Sequence, residues 1–265
     1  MKALSLAILT LSGLGVIFGI LLAWASKRFP VEVDPRIKKI VELLPGANCG
    51  ACGMTGCSIF AEAMLQKRIN LSYCVACTEE NKKEIISILA TSGQKIEERD
   101  DLVAVINCGG GNRSQDKFKY NGLADCHSAE QTLRGFKECS FACHEQGTCI
   151  ITCPFGAIKM QPWGVPKVLV DLCRGCQKCI AVCPRNLICM IRRGKSVYIN
   201  CQSHAKGQEV IKSCKVGCIS CAKCVKICPV SAINIEHNLA KIDYNKCTDC
   251  RKCVDVCPTK TISIL

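Results

Sequence analysis

Three times this chain repeats the spacing C-x2-C-x2-C-x3-C-P, at Cys173 to Pro184, Cys218 to Pro229 and Cys247 to Pro258. Such a run gathers three sulfurs on one small loop and sets a fourth just before a proline. Adjacent C-x2-C pairs are poorly placed to bond to each other but suit one inorganic centre wrapped by backbone. A disulfide scaffold is the other common use of dense cysteine, but those chains are usually short and secreted. Here 26 cysteines stand in 265 residues, while aromatic residues make up only 5%. Metal ligation, rather than aromatic burial, is therefore expected to organise the fold. Collagen-like and disordered readings fail at 49% hydrophobic residues with only 20 Gly and 9 Pro.

The cysteines form an internal repeat. One half reads Cys139-x3-Cys143-x5-Cys149-x3-Cys153-Pro154, then Cys173, Cys176, Cys179 and Cys183-Pro184. The other reads Cys214-x3-Cys218, Cys221, Cys224 and Cys228-Pro229, then Cys247, Cys250, Cys253 and Cys257-Pro258. The lead-ins echo as well, Val105-Ile106-Asn107-Cys108 against Tyr198-Ile199-Asn200-Cys201. Each half has the sequence form of a two-cluster bacterial-type ferredoxin. In that design three cysteines of one motif hold one [4Fe–4S] cubane, and the fourth reaches across to the other.

The first half departs from this pattern. Aligning the halves sets Gln146, which is no thiolate, opposite Cys221. Cys139, arriving from four residues before Cys143, is expected to replace the missing ligand. The expected sets are thus Cys139, Cys143, Cys149 and Cys183; Cys153, Cys173, Cys176 and Cys179; Cys218, Cys221, Cys224 and Cys257; and Cys228, Cys247, Cys250 and Cys253.

A further four-thiolate module is expected over residues 31–95. Asp34-Pro35 starts a helix with Ile37, Ile40, Val41 and Leu44 on one face. After Pro45-Gly46 come Cys49, Cys52 and Cys57, separated by glycines, and a helix is expected from Ser58 to Lys67. The fourth ligand is Cys74 or Cys77, and the set suits zinc or iron–sulfur. Outside these sets remain Cys108, Cys126, Cys189, Cys201, Cys214 and one of the Cys74/Cys77 pair. They read either as buried thiols or, for Cys108, Cys126, Cys201 and Cys214, as the ligands of a sixth cluster.

Ahead of all this, Ala3 to Ser26 is a stretch of 24 residues without a charge. As a helix it is about 36 Å long, enough for a hydrocarbon core of about 30 Å. Ala23-Trp24-Ala25 resembles a signal cleavage site, but the apolar region exceeds the usual signal length and only Lys2 precedes it. An uncleaved anchor is expected. Lys27, Arg28, Arg36, Lys38 and Lys39 outweigh Lys2, which directs the remainder to the cytoplasm. Gly15 and Gly19 read either as a helix–helix contact or as the ordinary glycine content of membrane helices.

The formal charge is +13. Five oxidised cubanes at about −2 each offset roughly −10 of it, so nucleic acid need not be invoked. Between Pro166 and Val230 stand 12 Lys or Arg but only Asp171 and Glu209 as acids, either neutralising cluster charge or offering a face to an acidic electron carrier. No dinucleotide-binding glycine motif is present, since Gly109-Gly110-Gly111 follows a cysteine. His127, His144, His204 and His237 are scattered, and no nucleophile–base signature appears.

The anchor, the segment Leu44-Pro45-Gly46-Ala47-Asn48-Cys49-Gly50 running on to Cys57, and the ferredoxin repeats together resemble the B component of the Rnf complexes over essentially the whole chain. That resemblance implies transfer of electrons between soluble acidic ferredoxin and NAD, coupled to Na⁺ or H⁺ movement across the cytoplasmic membrane. It implies that Cys49, Cys52, Cys57 and Cys74 hold the first cluster, leaving Cys77 over. Nicotinamide, flavin and ion-translocating steps would belong to other subunits. The expected architecture is α+β: an anchor (1–30), a small mostly helical [4Fe–4S] module (31–95), and two tandem ferredoxin-like dicluster domains (96–195 and 196–265). Two other readings are a polyferredoxin subunit serving a regulatory iron–sulfur protein and a zinc-stabilised interaction scaffold.

Overall fold

The computed structural model describes residues 2–28, 34–90 and 101–265. The expected boundaries near residues 30 and 95 lie outside the described residues. Helix α1 (Lys2–Arg28) carries the uncharged stretch, exposes large apolar side chains between Leu9 and Trp24, and ends on Lys27 and Arg28. It is the one helix among the described residues long and apolar enough to cross a membrane.

Three helices build the next unit: α2 (Pro35–Leu43), α3 (Cys57–Leu65) and α4 (Glu79–Ala90). Asp34 caps α2 by accepting from the Arg36 N–H at 2.9 Å, with Pro35 in the first turn, where no donor is lost. The face expected to be buried is buried at Ile40 and Leu44, which pack on Phe60, Met64, Leu71, Ile85 and Leu89. Helix α3 begins one residue before the expected start and stops at Leu65, because Lys67 takes a left-handed turn at φ 57°.

The remaining chain is built twice on one plan. Strand β1 (Leu102–Ile106) precedes the short helices α5 (Cys126–Gln131) and α6 (Thr148–Thr152). The hairpin β2 (Ile158–Met160) and β3 (Pro166–Val168) follows, then α7 (Lys178–Ala181) and β4 (Ile188–Arg192). The second pass runs β5 (Val197–Ile199), α8 (Gly207–Ser213), α9 (Lys223–Ile227), the hairpin β6 (Ile233–Glu236) and β7 (Leu239–Ile242), α10 (Lys252–Asp255) and β8 (Ile262–Ile264). In each pass the outer strands pair antiparallel, β1 with β4 and β5 with β8, and the inner two form the hairpin. Every sheet is thus two strands of three to five residues. Such ribbons are marginal in water by themselves. They serve to bring the cysteine loops at their ends together.

The halves are stitched by short backbone contacts. Gln115 N–H donates to Ser213 O at 2.9 Å, and Lys215 N–H to Arg113 O at 3.0 Å. Beside this seam the buried Lys137 ammonium sits between Glu145 at 2.7 Å, Asp116 at 2.8 Å and the Gly111 carbonyl at 3.1 Å. A buried charge is tolerable only with such partners.

Candidate metal centres

The residue after the middle position of each intact C-x2-C-x2-C loop is left-handed: Gln177 at φ 63°, Ala222 at 57° and Arg251 at 62°. That reversal curls the loop so that three sulfurs face one side. After each Cys-Pro a second left-handed residue follows, at Gly156, Asn186, Ser231 and Lys260. The chain turns back there, and a backbone N–H four residues beyond the cysteine donates to its sulfur: Ala157 to Cys153 and Leu187 to Cys183 at 3.4 Å, Ala232 to Cys228 at 3.2 Å, Thr261 to Cys257 at 3.3 Å. Such donors stabilise thiolate charge on the ligand.

Three cysteine-lined chambers open between these loops. Cys218, Cys221, Cys224 and Cys257 line one of them together, as grouped in the sequence. Burial pushes the Cys224 thiol up to about 11, with Cys218, Cys221 and Cys257 adding to the rise. Two further groups also stand together. Cys179 is pushed up to about 12 by burial and by Cys176, Cys173 and Cys153. Cys253 is raised to about 11 by burial and by Cys247, Cys250 and Cys228.

In the first half the thiols stand together differently from the expected grouping. Cys143, Cys149 and Cys183 line a chamber with Cys126, not with Cys139. Cys126 opens α5, and its N–H donates to the Thr148 hydroxyl at 2.8 Å; that hydroxyl donates in turn to Asp125 at 3.1 Å. Asp125 caps the same helix through Ser128 N–H at 2.9 Å. This clamp carries Cys126 into the gap left by Gln146, whose side chain is turned onto the His144 carbonyl at 2.8 Å. Cys139 instead lines the chamber on the seam between the halves, with Cys108, Cys201 and Cys214. The four thiols on the seam are those of the suggested sixth set with Cys139 in the place of Cys126. The repeat held a signal that was missed: Cys139 aligns with Cys214, which had no place in its own half, so both belong to the shared chamber.

Two ligand-like thiols of the seam chamber are tied to its neighbours. Cys143 N–H donates to Cys108 Sγ at 3.4 Å, and Cys218 N–H donates to Cys201 Sγ at 3.4 Å. Burial raises Cys108 to about 11 and Cys201 to about 12.

His144 is buried against the Cys126 chamber, its Nε2 2.6 Å from Glu130, and burial lowers its pKa, so the neutral ring donates to the carboxylate. Arg185, two residues past Cys183, also pairs with Glu130. In the helical unit, Asn48 Oδ1 accepts the Cys57 N–H at 2.8 Å, pinning the Cys49–Cys52 loop to the start of α3. Cys74 and Cys77 are both buried and share a hydrogen bond that raises the Cys74 thiol and lowers that of Cys77. Lys178 Nζ donates to the Cys49 carbonyl, which brings this loop against the Cys173–Cys179 loop. Cys189 lies apart, in contact with Asn107.

Four-thiol linings with backbone N–H donors on the sulfurs suit the donor set of an iron–sulfur cubane.

Repeated cysteine loops and an apolar N-terminal helix define an iron–sulfur protein of the polyferredoxin class. Family models agree: an Fe-S cluster model matches residues 44–76, a 4Fe-4S binding domain residues 170–186 and a 4Fe-4S dicluster domain residues 217–261. The chain is 39% identical over 242 residues to the B component of an ion-translocating oxidoreductase complex of Methanosarcina acetivorans, covering 91% of this chain and 90% of that one. It is 36% identical to the B component of a proton-translocating ferredoxin:NAD(+) oxidoreductase complex of Clostridium ljungdahlii, over 93% of this chain and 87% of that one. A Na(+)-translocating counterpart from Acetobacterium woodii is 38% identical over 88% of this chain and 69% of its own. The chain belongs to the family formed by the B components of ion-translocating, Rnf-type oxidoreductase complexes.

Proposed function

We propose that this chain is the electron-entry subunit of a membrane-bound ion-translocating ferredoxin:NAD⁺ oxidoreductase, taking electrons from soluble acidic ferredoxin and relaying them to membrane partner subunits. The observation that carries this reading is the row of three cysteine-lined chambers, the one on the seam tied to each neighbour by a backbone N–H to sulfur bond. Bound [4Fe–4S] clusters supply one-electron storage and transfer. The ligand sets are Cys49, Cys52, Cys57 and Cys74; Cys153, Cys173, Cys176 and Cys179; Cys126, Cys143, Cys149 and Cys183; Cys108, Cys139, Cys201 and Cys214; Cys218, Cys221, Cys224 and Cys257; and Cys228, Cys247, Cys250 and Cys253. In that order, the Lys178–Cys49 contact and the bonds from Cys143 to Cys108 and from Cys218 to Cys201 link neighbouring sets. The match that ends at residue 76 favours Cys74 over Cys77 for the first set.

Helix α1 anchors the subunit in a single pass, and Lys27 and Arg28 at its end favour a cytoplasmic location for the clusters. Gly15 and Gly19, four residues apart, offer a small-residue pair for close contact with another membrane helix. Nicotinamide and flavin chemistry belongs to partner subunits. Two relatives are named as components of ferredoxin:NAD(+) oxidoreductases, which favours this reading over a reductase of a regulatory protein.

Anaerobically purified protein should contain about 24 iron atoms per chain, six cubanes of four. It should absorb broadly near 400 nm and bleach with reduced ferredoxin. Membrane vesicles lacking the subunit should lose ferredoxin-driven NAD⁺ reduction and ion uptake together. A colourless, zinc-loaded protein, or vesicles that keep the activity without it, would refute the reading.

A further inference from the structure

The two halves use one and the same face differently. In the first half the middle cysteine of the second loop, Cys176, is followed by left-handed Gln177 (φ 63°, ψ 2°) and by Lys178 at the head of α7. In the second half Cys250 is followed by left-handed Arg251 (φ 62°, ψ −3°) and by Lys252 at the head of α10. The backbones match, so Lys178 and Lys252 leave their loops in equivalent directions. Lys178 is engaged: its Nζ donates to the carbonyl of Cys49, a thiol of the helical unit's own cysteine loop. The face beside Cys176 is thus covered by a second cysteine-bearing module. Beside Cys250 the same face is open, and Lys252 is exposed. Of all 26 cysteines, only Cys221 and Cys250 are exposed.

We infer that the Cys250 face is the port at which an external, acidic iron–sulfur carrier docks, in the way the helical unit docks on the Cys176 face, with Lys252 donating to the carrier's cysteine loop. This rests on the electron-entry reading and adds where entry occurs. Charge favours an acidic partner. Lys246, Arg251 and Lys252 are exposed around the loop, Lys246 at 3.8 Å from Asp243 and Arg251 at 3.9 Å from Asp249. Asp249 is turned inward, accepting from Ser196 N–H at 2.9 Å and Val197 N–H at 3.0 Å, which leaves Asp255 as the exposed acid on α10. A basic rim of this kind steers an acidic partner and acts mainly on the association rate.

The test uses the full-length, cluster-loaded protein and measures its second-order rate of reduction by a reduced acidic two-cluster ferredoxin. Methyl viologen radical, a small cation, serves as a reductant that needs no docking. Lys252→Glu and Arg251→Glu should each slow ferredoxin at low salt, with the double variant about tenfold or more below the parent. Rising salt should narrow the gap, the viologen rate should not fall, and Lys159→Glu on the exposed side of β2 should match the parent with ferredoxin. A parent that ferredoxin reduces normally, with the double variant no slower, overturns the port alone. A face covered by a membrane subunit or a second copy gives that same outcome. A parent that viologen reduces and ferredoxin does not overturns the electron-entry reading and the port with it.

Discussion

The backbone N–H of Cys143 donates to the sulfur of Cys108 at 3.4 Å. Because Cys143 lines one chamber and Cys108 the next, a single peptide group belongs to the walls of both. The second half repeats this with Cys218 and Cys201. The seam chamber takes two thiols from each half and has a pseudo-twofold character that neither half has alone.

Iron counting separates this grouping from the one expected from spacing. Cys108→Ala and Cys139→Ala should each lose about four iron atoms per chain, and the double variant should still lose only about four, since both act on one centre. Cys126→Ala combined with Cys149→Ala should likewise lose only about four, where the grouping expected from spacing gives about eight for either pair. If the Cys108 and Cys139 changes together cost about eight, the two thiols serve different centres and the regrouping is wrong.

Gly135 sits where a side chain has no room. Its φ is +84°, and a Cβ there would lie 2.3 Å from His144 Cε1 and 2.7 Å from Arg185 Nη2. Gly135→Ala adds left-handed strain to a steric clash, together about 3 kcal/mol. Gly46, also left-handed but with nothing within 4 Å, should cost only the strain, about 1 kcal/mol, on the same change. Thermal denaturation followed at 400 nm compares the two; equal shifts would contradict the packing of His144 against Gly135.

Cluster assembly should depend on pH with a defined sign. A thiol at the usual 9.0 holds its proton near neutrality in the metal-free chain, and burial in the folded chain raises Cys149, Cys179 and Cys201 further, to about 12. Iron binds thiolates, so loading must release protons, on the order of four per cubane. Reconstitution yield should rise between about pH 6.5 and 8.5, with acid release measurable in weakly buffered solution. A yield that falls over this range would contradict ligation by thiolates.

Removing iron should remove the tertiary structure of residues 101–265. Ribbons of three to five residues and helices of four to seven cannot hold together unaided. Chelation under reducing, anaerobic conditions should make this region protease-sensitive and flatten its near-ultraviolet circular dichroism. Persistence of both signals after complete iron loss would show that apolar burial suffices.

The loops legible in the sequence are those whose chemistry is local. Within C-x2-C-x2-C-x3-C-P every sulfur is placed by a handful of neighbouring dihedrals, and the left-handed residues at Gln177, Ala222 and Arg251 follow from that spacing. The helix start at Asp34-Pro35 and the uncharged run of α1 are equally local. Cys126 and Cys139 were not legible in this way. Their destinations depend on the Thr148–Asp125 clamp and on the seam between Arg113 and Lys215, contacts between segments about 20 and 100 residues apart.

The amino-acid order alone determined the kind of ligand, the repeat and the apolar helix, because bond geometry over a few residues sets them. Which thiols share a chamber across the seam, and which lysine meets a second module while its twin stays open, was decided only by the tertiary structure. The reason is physical: a thiolate has no partner preference until packing brings three others within reach of the same centre.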